Sequence, residues 1–501
     1  MSEPSSPSVL SQTLARSRLG VGPVVFTVLA AAAPLTVVAG GATAGFAVTG
    51  LTGIALAYLV MAAILMIFSI GYVAMARQIV NAGAFYTYIT QGLGKRSGVA
   101  ASFVAVLGYN VMQVGLYGGF GVVLAAFIKE QFHTTLPWSV WALFGWMAIA
   151  WLGGRRIDLS GRVLAVLLIG EIAVALLFAA VQLAHPAGGE VSFTTLSPGN
   201  LFTGPVAAVA GATAIAGFVG FENTAVYSEE TRDPQRTVPR ATYFAVAFVG
   251  LIYGFCTWAM IVATGPDHIV ERATAEGSEL IFTLSAPYLP SFVITLGHLF
   301  FITSLFAAAL SFHNTSARYH FALGREGVLP AVLGRTSPRT KAPLSGSLLQ
   351  TIIGLAGIAA FAVFGWDPFL QMFFWLTVLG GFGVLILMVF TSIAVAAYFT
   401  RPRNRGSVGA IRGVIAPIVA AALLAVVLVA TVAKFDVLTG VDPASPMRWI
   451  LPGSFAVAGL LGFLRALYLK ARRPTVYAAI GLGANRDTTV GNVATSTGAR
   501  L

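Results

Sequence analysis

Twelve runs of about 20 mostly apolar residues follow one another along this chain. Each is a candidate to cross the roughly 30 Å hydrocarbon core of a bilayer as an α-helix. They fall at 24–45, 54–76, 99–128, 138–153, 163–183, 206–227, 243–263, 291–312, 344–364, 369–399, 414–433 and 449–468. The third and tenth exceed what the bilayer needs, which predicts tilt or extension beyond it. Charged residues make up 10% of the chain, against about 25% in soluble domains. The fold expected is an all-α integral membrane protein with twelve transmembrane helices.

In a soluble chain, a net charge of +12 would point to nucleic acid, so the placement of the charges matters. With the N-terminus in the cytoplasm and strict alternation, the outside loops hold four of the 30 Lys and Arg: Lys129, Arg272, Lys434 and Arg448. The same loops hold nine of the 18 acids: Glu130, Glu190, Asp267, Glu271, Glu276, Glu279, Asp367, Asp436 and Asp442. This is the positive-inside pattern, and one span more or fewer would scramble it. It predicts a multi-pass protein of the cell membrane with both termini cytoplasmic, and it accounts for the charge without nucleic acid. Residues 1–20 read as a cytoplasmic tail rather than a cleaved signal, and the small, polar stretch 470–501 as a disordered one. The single cysteine, Cys256, excludes an internal disulfide and reads as a buried hydrophobe. No metal site and no cofactor are expected.

Two acids fall inside apolar runs: Glu171 in the fifth and Glu222 in the sixth. A carboxylate at bilayer depth costs about 2.5–3.5 kcal/mol even on lenient scales, so such residues mark solute paths or proton relays by default. A protonated, purely structural carboxyl is the alternative. Tyr109, Asn110, Gln113 and Tyr117 lie in the third run. The last three share one helical face, which suits either a cavity wall or polar glue between helices. His298 and His313 are of the residue type whose unperturbed side chain titrates near neutrality, but with no partner visible they read as structural. The first run contains Pro34, Gly40 and Gly41, and the sixth Gly211, Gly217 and Gly220. Pro34 removes a helix donor and crowds the preceding turn. A broken membrane helix is tolerated only where it is buried or lines a cavity. Its half-helix ends offer amides to an anion and carbonyls to a cation. Interruptions in the first and sixth spans match an inverted repeat of five helices, the best sequence pointer to a transport site.

Three segments resemble the amino acid–polyamine–organocation permease superfamily. One runs Asn81-Ala82-Gly83-Ala84-Phe85-Tyr86-Thr87-Tyr88, followed by Gly92-Leu93-Gly94. Another is Gly220-Phe221-Glu222 with Ser228-Glu229-Glu230-Thr231-Arg232-Asp233-Pro234-Gln235-Arg236-Thr237-Val238-Pro239-Arg240-Ala241, and the third spans Arg318 to Pro330. The resemblance covers about residues 20–470. It implies a leucine-transporter-like fold: a first repeat at 21–185, a second, inverted repeat at 200–400, and two further helices at 412–469. It also implies alternating access around a substrate held by Ala32, Ala33 and Pro34 of the first helix and Phe218, Gly220, Phe221 and Glu222 of the sixth. Asn110 and Gln113 join that set from the third helix. Glu229, Glu230, Arg236 and Arg240 would pin loops at the inner gate.

Two departures stand out. Where amino-acid-binding members carry a Gly-Ser-Gly-like stretch whose amides hold a carboxylate, this chain has Ala32-Ala33-Pro34, and Pro34 has no N–H. Where many proton-coupled members carry a lysine, it has Glu171, which is suited to Na⁺, a proton or a substrate ammonium. The leading reading is a secondary amino acid permease, coupled to H⁺ through Glu222 and Glu171, with Na⁺ as the other ion. The alternative is a carrier of polyamines or other amines. A membrane nutrient sensor remains from another class, though neither tail holds a long signalling domain. An enzyme is not expected, for want of a His-Glu-x-x-His motif, and an ATP-driven pump lacks its phosphate-binding loop.

Overall fold

The computed structural model describes residues 14, 19–155 and 157–483, with the backbone alone for 157–163. Among the described residues there is no strand, and the one extended pairing is a single parallel bridge between Leu19 and Thr231. Among the described residues, eleven helices are long and apolar enough to cross a membrane: Val21–Thr49, Ile54–Gln78, Lys95–Phe132, Leu164–Ala184, Val206–Val226, Pro234–Thr264, Ser291–Arg325, Leu344–Phe364, Pro368–Thr400, Ile411–Ala433 and Met447–Arg472. The remaining expected span, Trp138–Gly153, is a helix of 16 residues. That is about 24 Å at 1.5 Å per residue, short of an untilted crossing. Counted along the chain with Trp138–Gly153 as the fourth, the helices are called first to twelfth below.

Several elements run beyond the expected limits. The third helix has 38 residues, about 57 Å, so it tilts or projects past the apolar layer. The stretch after the second helix contains a helix of its own, Ala84–Leu93, nearly all of it buried. The polar stretch expected to be disordered from Lys470 is placed as far as Gly483. The twelfth helix reaches Arg472, and a turn of helix follows at Pro474–Ala479. Residues 484–501, and nearly all of the expected tail 1–20, lie outside the described residues.

Burial sorts the helices. The tenth is 83% buried along its most apolar stretch and the ninth only 22%, although both are apolar. The ninth and eleventh therefore turn side chains such as Val363 and Val429 outward. An apolar surface on this scale belongs in lipid rather than water. The first helix is enclosed by the fifth, seventh and eighth, and the third packs on the eighth, tenth and twelfth.

The expected breaks are both present. The first helix stops at Ala32, Ala33 takes a left-handed conformation at φ 46°, and Pro34 restarts the helix. A residue before proline is steered away from the α region, and Pro34 offers no N–H to continue the ladder. The sixth helix stops at Phe218, passes through extended Val219 and resumes at Asn223–Val226. Gly220 makes this turn at φ +122°, and a Cβ there would lie 2.5 Å from Ala31 Cβ. Only glycine lets the two breaks approach so closely.

Candidate functional site

Each break leaves backbone groups unpaired, and the surrounding helices supply partners. Tyr253 of the seventh helix donates its hydroxyl toward the carbonyls of both Ala32 and Gly217, the latter at 2.9 Å. One side chain thus ties the open C-terminal ends of the two first halves. On the other side of the first break, Leu35 N–H donates to Glu171 Oε1 at 2.5 Å and Thr36 N–H to Ser304 Oγ at 3.2 Å. Ser304 in turn donates to Glu171 Oε1 at 2.7 Å. Glu171 is fully buried, and its Oε2 has no hydrogen-bond partner. Its carboxylate caps the restarted helix, where aligned peptide dipoles favour negative charge.

The second break is built alike. Glu222, also fully buried, accepts from Gly220 N–H at 2.8 Å through Oε2 and from the Tyr109 hydroxyl at 2.8 Å through Oε1. Its own carbonyl accepts from Tyr72 at 2.7 Å. Among the described residues no lysine, arginine or histidine bonds either carboxylate. Asn223, next to Glu222, is buried with neither side-chain polar atom bonded.

Beside the breaks lies a cavity of about 80 Å³. The first helix lines it with Ala31, Ala32, Ala33, Thr36, Val37, Gly40 and Gly41, and the sixth with Thr213, Ala216 and Gly217. Met112 and Leu116 come from the third helix, Ala308 and Phe312 from the eighth, and Phe373, Phe374, Thr377 and Val378 from the tenth. The lining holds no ionisable side chain. Its three hydroxyls are engaged by protein: Thr213 donates to Ala210 O, Thr377 to Phe373 O, and Thr36 shares a hydrogen bond with Ser304.

The structure brings together part of the set expected from sequence. Ala32 and Ala33 line the cavity. Pro34 and Gly220 shape the two breaks without lining it. Phe218 packs edge-on against Tyr253, with ring centroids 5.6 Å apart, and Phe221 against Phe68 at 6.0 Å. Asn110 and Gln113 do not line this cavity. Asn110 lies on an apolar groove with Phe103, Leu323 and Val457. Gln113 donates to Tyr117 at 2.8 Å, contacts His313 Nδ1 at 3.3 Å and accepts from Gln350, while His313 Nε2 meets Ser347 at 2.8 Å. That network binds the third, eighth and ninth helices together. At 100° per residue, the face of the third helix turned to the cavity is instead that of Met112 and Leu116. Sequence reasoning missed Tyr253, Ser304 and Thr36. Their only signal was a hydroxyl inside an apolar run.

Away from the cavity, the arginine-rich end is closed by buried ion pairs. Arg318 Nε lies 2.6 Å from Glu230 Oε1, both side chains 3% exposed, and Arg318 also stacks over Tyr227. Arg325 grips Glu229 through two bonds of 2.7 and 2.8 Å. Of the other residues expected at this gate, Arg236 is exposed and reaches only Asp233, at 3.6 Å.

Broken helices beside a cavity, within an apolar helical bundle, are consistent with a multi-pass membrane permease. The sequence model of the amino acid permease family matches residues 25–457. The chain belongs to that family, within the amino acid–polyamine–organocation superfamily. It is 25% identical to the low-affinity putrescine importer PlaP of Escherichia coli over 395 residues, 77% of this chain and 81% of that protein. A methylthioribose transporter of Bacillus subtilis is 26% identical over 211 residues, 42% of this chain and 43% of the relative. An uncharacterised transporter of Mycobacterium tuberculosis is 31% identical over 145 residues, 29% of this chain and 32% of the relative.

Proposed function

We propose that the protein is a secondary active transporter that carries an amino acid across the cell membrane by alternating access. One observation carries this reading: two broken helices meet beside a cavity, and each break holds a buried carboxylate with no basic partner among the described residues. A carboxylate so placed is suited to exchanging a proton, which makes Glu222 and Glu171 the coupling groups and H⁺ the leading ion, with Na⁺ as the alternative. Substrate contacts are assigned to Ala32, Ala33, Thr36, Phe312 and Phe373. Asn110 and Gln113 are left out of that set. The Lys and Arg distribution supports twelve spans with both termini cytoplasmic and Trp138–Gly153 as the fourth. The matched breaks support two inverted repeats, 21–185 and 200–400, followed by a pair of helices at 412–469.

A second reading, a diamine or other amine without a carboxylate, is favoured by one specific feature. The amides that would hold a substrate carboxylate are already taken, Leu35 by Glu171 and Thr36 by Ser304. Pro34 has none, and no basic side chain lines the cavity. The relative from Escherichia coli is named for putrescine.

Purified protein in proteoliposomes separates the two. Labelled amino acids and polyamines are offered with an inward proton gradient, with Na⁺ in its place, and with neither. Amino acid accumulation that collapses with the proton gradient is the expected result. Amine flux without amino acid flux moves the assignment to the second reading, and dependence on Na⁺ removes the proton from it.

A further inference from the structure

Glu326, one residue past the end of the eighth helix, is fully buried. Its carboxylate is gripped by the far end of the chain. Gly481 N–H donates to Oε2 at 2.7 Å and Gly483 N–H to Oε1 at 3.0 Å, and Asn81 Nδ2 donates to Oε1 at 3.2 Å. Hydrogen bonds to an ionised acceptor are the strong ones, and here backbone far removed in sequence supplies two of them.

The segment that brings these amides follows the twelfth helix. It winds through Pro474–Ala479, buries Ala479 and Ile480, and crosses the arginine-rich end. Lys95 Nζ donates to Ala478 O at 2.5 Å, and Gln91 Nε2 to Gly481 O at 3.1 Å. Gly481 sits at φ +83° and Gly483 at φ +58°. A Cβ at Gly481 would stand 2.7 Å from Thr90 Cγ2, and one at Gly483 2.6 Å from Asn81 Nδ2. The path is fitted to its bed.

The same place joins the elements that close this end. Asn81 and Ala82 form the turn after the second helix, and Ala82 N–H donates to Glu229 Oε1 at 3.0 Å. Glu229 pairs with Arg325, the neighbour of Glu326. Asn81 and Gln91 come from the first half of the chain, Glu229, Arg325 and Glu326 from the second. Alternating access is largely rocking of one half against the other.

We propose that residues 474–483 are a strap that latches the arginine-rich, cytoplasmic end in its closed state by holding Glu326 and the Asn81 turn together, so that release of the strap accompanies inward opening. The proposal rests on alternating access, not on the identity of the substrate.

The test reads exposure directly. In a Cys256→Ala background, a reporter is introduced as Ser316→Cys, a buried position on the eighth helix beside Arg318. Inside-out vesicles are treated with a membrane-impermeant maleimide, with no substrate present. Two variants are compared with the full chain: one ending after Arg473, and Glu326→Gln, which removes one acceptor from a buried amide. Both are expected to label about tenfold faster, the scale of one lost charge-assisted hydrogen bond. A synthetic peptide of residues 474–501 is expected to restore slow labelling to the shortened chain. Unchanged labelling in both variants overturns the latch. If the shortened chain is not recovered monodisperse, unchanged labelling in Glu326→Gln alone overturns it. Because no substrate is present, failure of the amino acid assignment leaves this readout intact.

Discussion

Four carboxylates in two regions of this protein are buried or nearly so, and they are satisfied in opposite ways. Glu229 and Glu230, at the arginine-rich end, pair with Arg325 and Arg318 at 2.7 and 2.6 Å. Glu171 and Glu222, at the helix breaks, are held by amides and hydroxyls from Leu35, Ser304, Gly220 and Tyr109. A carboxylate with an arginine on it is a fastener, because its charge is spent on one geometry. A carboxylate held only by neutral donors can still gain or lose a cation without breaking an ion pair. These two pairs thus differ by one partner, whereas Glu326, also at the arginine-rich end, is held by the amides of Gly481 and Gly483.

The largest expected effect strikes the fastener. Arg318→Ala leaves Glu230 buried without its counter-ion, which costs about 3–5 kcal/mol, so the unfolding midpoint in detergent should fall sharply. Pairing Glu230→Leu with Arg318→Met should recover much of that loss. A single variant as stable as the parent would remove the distinction between the two regions.

A smaller effect, with a different signature, is expected at the centre. Glu222→Gln cannot release a proton, yet keeps an acceptor for Tyr109 or Gly220. Uptake driven by a pH gradient should fall sharply, as expected for an intramembrane relay, while exchange of internal for external substrate persists. Full pH-driven uptake by this variant would sink proton coupling through Glu222.

The mildest test sharpens the comparison. Ser304→Ala removes one neutral donor from Glu171, worth about 1 kcal/mol. Stability should change little, while the apparent substrate or ion affinity shifts several-fold. A midpoint drop as deep as that of Arg318→Ala would mean that Glu171 is a fastener too.

Much of this was readable from residue types. Pro34, Gly220, Glu171 and Glu222 declared themselves because each conflicts with an ordinary membrane helix. Glu229 and Glu230 could be placed at a gate by their string, but their arginines lie in another segment, 96 and 88 residues away. Gln113 and Asn110 lie off the cavity lining, because spacing along a helix shows which residues share a face, not which neighbour that face meets. The strap was read together with the polar tail that follows it, although Val476, Tyr477, Ile480 and Leu482 make 474–483 itself apolar. Its order comes from glycine amides reaching Glu326, which composition does not encode.

By itself, then, the sequence determined that this chain lives in a membrane as helices, where its charges gather, and which helices must break. These are one-dimensional facts, set by local solvation and backbone chemistry. Only the tertiary structure decided what each break touches, which carboxylates receive arginine, and that the C-terminal segment closes over Glu326. Hydrogen bonds and ion pairs reach only about 3 Å, so their partners are chosen by packing between distant segments rather than by order along the chain.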